Sequence, residues 1–166
     1  MGSKKRKTPF VPRWKASTNT FEIAASRAAK LSHSTVISLA SALERSCEGL
    51  TLPETSAISW LNLRQAVMFS RRVERMGVVR GLAPVIDAGF DALEAIRGRC
   101  STSAAWNYCA PEAEEIAAIV EMCEMHAFQL GQISHREFEL IFMQSQEDLK
   151  RLPQICLPEA PRATSD

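Results

Sequence analysis

Glycine and proline together supply only 15 of the 166 residues, and tyrosine occurs once. So little turn-forming material argues against a loop-rich, collagenous or disordered chain. No apolar run reaches the length of a membrane span before an arginine interrupts it. The basic start MGSKKRK is not followed by the apolar stretch of a secretory signal, and Arg6 stands where a myristoylation start needs Ser or Thr. The five cysteines (Cys47, Cys100, Cys109, Cys123, Cys156) are an odd set without a C-x-x-C pair, which predicts reduced thiols and a cytoplasmic location. A glycine-rich phosphate loop, a G-x-S-x-G elbow and Glu-x-x-His metal elements are all missing from the sequence. These lacks predict a non-enzymatic protein that holds no cofactor and no metal.

What the chain does have is hydrophobicity, 46% of its residues, arranged in helical periods. The stretch TLPETSAISWLNLRQAVMFSRRVERMG, Thr51 to Gly77, reads as one long helix that is apolar on most bearings. Its polar side is a narrow strip of Arg64, Arg71 and Arg75, with Gln65 and Arg72 beside it. A helix apolar nearly all round belongs inside a bundle, touched by several neighbours.

The other helices follow from stripes and caps. Asn19 with Glu22 opens a short alanine-rich helix, and Ser32 or Ser34 caps a second, from about Thr35 to Glu48, with Val36, Ala40, Leu43 and Cys47 inward. Gly49 is expected to supply a left-handed cap, and Thr51 with Glu54 a capping box for the central helix. A helix from near Leu82 carries Leu82, Ile86, Gly89, Leu93 and Ile96, the glycine placed where another backbone comes close. Residues 98–110 read as a long loop, whose aromatics Trp106 and Tyr108 form a contact site, or which folds back and buries Trp106. The acidic run Glu112, Glu114 and Glu115 starts the next helix, with Ile116, Val120, Cys123, Ala127 and Leu130 as its stripe. Ser134 and Glu137 cap the last helix, which carries Phe138, Phe142, Ser145, Leu149 and Leu152.

The expected fold is all-α, an antiparallel bundle of five or six helices spanning residues 19–152. A basic flexible arm (1–18) precedes it and a disordered tail (153–166) follows. A helix-turn-helix is not predicted, because Arg45 stands where that motif wants a small residue and the following helix is too long for a recognition helix. Cys123 and His126 could share a helical face, but Cys123 belongs to the apolar stripe, so they are not read as metal ligands.

Charge is unevenly spread. Residues 1–15 hold six bases (Lys4, Lys5, Arg6, Lys7, Arg13, Lys15) and no acid, whereas residues 22–152 hold thirteen bases against seventeen acids, a net of −4. Cations mixed with Phe10 and Trp14 suit nucleic acid, with phosphates neutralised and Trp14 stacking on bases. The competing reading is a solubilising tail whose rings tuck onto the helices; a nuclear import signal is a third reading of KKRK. The strip Arg64, Arg71, Arg72 and Arg75 is a candidate anion or partner contact, or else the mate of an acidic strip, Asp87, Asp91 and Glu94. Apart from nucleic acid, the partner classes that fit are a protein or a second copy of the chain, with no membrane and no small-molecule substrate.

Several stretches, taken together, resemble a loosely defined set of uncharacterised small helical proteins encoded on beta-proteobacterial plasmids, prophages and chromosomes. They are KKRKTPFVPRWK, the pattern W-L-x-L-x-x-A-V-x-x-x-R-x-x-E-R-x-G over Trp60–Gly77, DAGFDALEAI, and HAFQLGQIS followed by an acidic helix. Some of those proteins are labelled Fis-type transcriptional regulators, so the resemblance implies a bacterial, mobile-element origin and a DNA-linked regulatory role.

Overall fold

The computed structural model describes residues 24–25, 27–102 and 105–155. The described chain is all-α: α1 (His33–Leu50), α2 (Ser56–Met76), α3 (Ala83–Cys100), α4 (Ala113–Leu130) and α5 (His135–Lys150), with one two-stranded hairpin between α3 and α4. Ala24, Ala25, Arg27 and Ala28 are helical, but the expected first helix stops short of Leu31: Ala29 is a bend and Lys30 bridges to Ser134. The start of that helix, the Asn19–Glu22 capping box and the basic arm lie outside the described residues. None of the described helices is long and apolar enough to cross a membrane.

Helix α2 is the hub. It packs against α1, α3, α4 and α5. Twelve of its 21 residues are buried, among them Trp60, Leu63, Val67 and Val73, which have no exposed surface. It ends at Gly77, whose φ of 73° is the left-handed conformation that stops a helix at low cost. The start differs from expectation. Residues 51–55 form turns rather than a helical first turn, Thr55 is the N-cap, and Thr51 with Glu54 makes no capping box. Thr51 instead caps the end of α1, its hydroxyl donating to the Glu48 carbonyl over 2.7 Å. Gly49 likewise is no left-handed cap but an ordinary residue of α1, bare because the Ser59 hydroxyl occupies the space a Cβ would need.

Capping explains the remaining boundaries. Ser32 caps α1 through the Thr35 amide (3.1 Å), and Ser134 and Glu137 form a reciprocal box at the start of α5. Glu112 and Glu115 make another box for α4, beyond the dipole effect read from the sequence. Helices α3 and α4 share the most extensive contact among the described helices. A Cβ added at Gly89 would lie 2.5 Å from Met122 Cβ, so the glycine sets the distance between them.

Two expectations are corrected in the second half. Residues 98–110 are not a long loop: α3 continues to Cys100, and Ser101–Thr102 pairs antiparallel with Ala105–Trp106. That hairpin brings the Cα atoms of Cys100 and Cys109 within 5.5 Å, and the two are joined as a disulfide, so the expected fully reduced set does not hold here. The α4 stripe is also rotated. Ile119, Met122, His126 and Gln129 are buried, whereas Val120 of the predicted stripe is exposed. At the other end, Pro153 and Ile155 do not behave as free tail: the Pro153 carbonyl accepts from Arg64, and Ile155 packs against the core.

Candidate functional site

Four arginines leave one side of α2, and the structure divides them between two neighbours. Arg71 donates to Asp87 of α3 over 2.8 Å, its guanidinium 3.6 Å from the centre of the Phe90 ring. Arg72 and Arg75 turn the other way, to Asp148 of α5, at 2.7 and 3.5 Å. Arg64 is the surprise, at 1% exposure. Its Nη1 donates to the Pro153 carbonyl over 2.7 Å, its Nε lies 3.4 Å from Glu94, and its guanidinium sits 4.7 Å from the Trp60 ring. Burial pushes its pKa down, opposed by the Glu94 charge. The helical spacing Trp60–Arg64 was the available signal, since a cation one turn along can stack on the ring. Asp91, the middle acid of the predicted strip, is exposed.

Beyond this seam an open cleft of about 590 Å³ is lined by Arg71, Glu74, Arg75, Arg80 and Asp87. One Glu74 oxygen accepts from the Leu82 and Ala83 amides (2.7 and 2.8 Å) and so caps α3 with a side chain from α2. Three arginines against two carboxylates leave the cleft mildly cationic.

On another face, α1 and α5 stand apart above α2, leaving an apolar groove of about 270 Å³. Leu39, Leu43, Ala66, Phe69, Phe138 and Phe142 line it, with Ser46, Asn62, Gln65 and His126 as its polar members. Phe138 and Phe142 lie nearly parallel, ring centres 6.2 Å apart, and Phe142 is 39% exposed. His126 Nδ1 shares a 2.8 Å hydrogen bond with the fully buried Ser70 hydroxyl, and its ring meets Phe69 edge-on. Desolvation lowers its pKa to about 4, so it is neutral at pH 7.

That neutrality predicts an acid-sensitive fold. In the unfolded chain the imidazole titrates near its ordinary value of about 6.5, and in the folded chain near 4. Between those values the unfolded state binds the extra proton, so stability is full above about pH 6.5 and falls as the pH drops towards 4. His126→Gln is expected to flatten this slope in urea titrations run across that range; an unchanged slope would mean that other groups carry the acid sensitivity.

The serine–histidine pair presents no nucleophile to solvent, because Ser70 is fully enclosed. Cys123 and His126 do not converge. Cys123 faces Cys47 of α1 while His126 faces Ser70 of α2, and among the described residues no group of three or more His, Cys, Asp or Glu side chains is placed to hold a metal ion. Trp106 is buried, its ring centre 5.6 Å from that of Trp60 and its Nε1 donating to Ser56 Oγ over 2.9 Å. Of the two readings of that segment, the fold takes the one in which it returns to the core. Lys4, Lys5, Arg6, Lys7, Arg13, Trp14 and Lys15 lie outside the described residues. Comparison with family models, curated proteins and solved structures finds no match for this chain.

Proposed function

We propose that the chain is a non-enzymatic accessory or regulatory protein of the cytoplasm, a helical bundle around α2 whose basic arm, residues 1–18, contacts nucleic acid. The observation that carries this reading is the separation of charge. In the helices Arg64, Arg71, Arg72, Arg75, Arg97 and Arg99 are engaged by carboxylates of α3, α4 and α5. The densest run of bases in the sequence, six with no acid among them, is in residues 1–15. On this reading Lys4, Lys5, Arg6, Lys7, Arg13 and Lys15 neutralise phosphates, and Trp14 stacks on a base with little sequence choice. A cytoplasmic disulfide is unusual; here one of its two sulfurs, that of Cys100, is buried and closed to attack, while Cys109 is half-buried.

Replacing the six arm bases with glutamine is expected to weaken binding to duplex DNA. If all six contact phosphates, it should also reduce the slope of log affinity against log salt by about 5. Titrations at several salt concentrations read this directly, and an unchanged slope would remove the arm from the interface.

The groove between α1 and α5 favours a second reading, a protein–protein interaction module, in its simplest form a homodimer, whose arm only keeps it in solution. Phe142 and the neighbouring Leu140 and Met143 of α5 are exposed. Arg71 and Arg75 line the cleft on a different face, so as partner contacts they would serve a second contact and not the one in the groove. Light scattering that finds a strict monomer at high concentration would argue against the homodimeric form.

A further inference from the structure

Two half-buried cysteines face each other where α1 packs on α4. Cys47 Sγ and Cys123 Sγ are 3.7 Å apart, 76 residues apart in sequence, and neither is bonded to another cysteine. The other described pair, Cys100 and Cys109, is already joined. Each thiol thus has the other as its sulfur neighbour. A disulfide needs about 2.05 Å between sulfurs, so bonding requires the two sulfurs to approach by roughly 1.7 Å from their present 3.7 Å.

We propose that Cys47 and Cys123 are an oxidation site, closed to a second disulfide by a low-molecular-weight disulfide such as oxidised glutathione. The step is thiol–disulfide exchange. Cys47 loses its proton and attacks one sulfur of the small disulfide, and the other half leaves as a thiol. Cys123 then loses its proton and attacks Cys47 Sγ, expelling the second small thiol. Two protein thiols are oxidised and one small disulfide is reduced to two thiols. The hydrogen bond between the two side chains favours Cys47 as the first thiolate, while burial and the nearby Glu44, Glu48 and Glu124 oppose ionisation, most strongly at Cys123. The bond ties α1 to α4. Leu43 and Ser46 neighbour Cys47 and His126 lies three residues beyond Cys123, so closing it fixes one wall of the apolar groove.

The test uses the full chain carrying Cys156→Ser, which removes the fifth cysteine as a competitor. Reduced protein is equilibrated with graded mixtures of reduced and oxidised glutathione. It is then quenched in acid, blocked at its remaining thiols, digested and mapped by mass spectrometry. The proposal expects a linked Cys47–Cys123 peptide pair, two hydrogens lighter than the separate peptides. It also expects that Cys47→Ser leaves no such pair and that the oxidised chain melts at a higher temperature than the reduced one. Free Cys47 and Cys123 in mixtures oxidising enough to close Cys100–Cys109 would overturn it. So would glutathione adducts that never resolve, or pairing of either residue with Cys100 or Cys109.

Discussion

Trp60→Ala is expected to cost about 4 kcal/mol, within the range measured for removing a buried tryptophan or phenylalanine and a large share of the stability of an ordinary domain. The side chain has no exposed surface. Its ring is packed by Trp106 at 5.6 Å and by the Arg64 guanidinium at 4.7 Å. Its Nε1 donates to the Leu93 carbonyl over 2.7 Å, pinning α2 to α3. Alanine removes the indole from a place where the hairpin, two helices and a buried cation meet, and no single neighbour can fill the void. Trp60→Phe keeps most of the ring and loses the N–H donor, so it should cost clearly less. Urea titrations followed by circular dichroism measure both. Equal losses for the two variants would mean that the hydrogen bond contributes more than the packing.

Glu94→Ala should cost about 3 kcal/mol, whereas Arg64→Met should cost about 1 kcal/mol or less. The asymmetry follows from which charge is left behind. Arg64 is buried, two of its guanidinium nitrogens lack a hydrogen-bond partner, and Glu94 is the carboxylate beside it. Removing Glu94 leaves a guanidinium out of water with only the Pro153 carbonyl and the Trp60 face to hold it. Methionine at 64 retains an apolar stem and removes the charge, and Glu94 still has Arg97 at 2.7 Å. The double variant should therefore be more stable than Glu94→Ala alone. If it is less stable, the contacts of Arg64 with the Pro153 carbonyl and the Trp60 ring outweigh its desolvation even without Glu94.

The central helix is legible in the sequence because a segment apolar on most bearings has one physical solution, enclosure by several neighbours, and α2 touches all four other helices. Ser32 and the Ser134–Glu137 box are legible because caps are local chemistry. Errors arise where tertiary contacts override local pattern. Helix α4 packs against α1, α2 and α3, so it carries apolar residues on more than one side, and a single 4,3,4 stripe selects Val120 over Ile119 and Met122. Arg64 reads as surface charge until Trp60, Glu94 and Pro153 are placed around it. The hairpin strands are two residues each, too short for alternation to show. Reasoning from compartment predicts free thiols at Cys100 and Cys109, while the geometry that joins them comes from the pairing of Ser101–Thr102 with Ala105–Trp106. His126 carries no sequence signal of its buried bond, because its partner, Ser70, stands 56 residues away.

The most direct test of the arm as a nucleic-acid contact is fluorescence anisotropy with labelled duplex and single-stranded DNA and RNA. It compares the full chain with a chain beginning at Ser17 at low and at physiological salt. The full chain should bind with an affinity that falls steeply with salt, and the shortened one should bind little or not at all. Binding that survives loss of residues 1–16 would contradict the proposed role of the arm. Absence of binding by both would contradict it as well, and would leave the groove between α1 and α5 as the place to look for a protein partner.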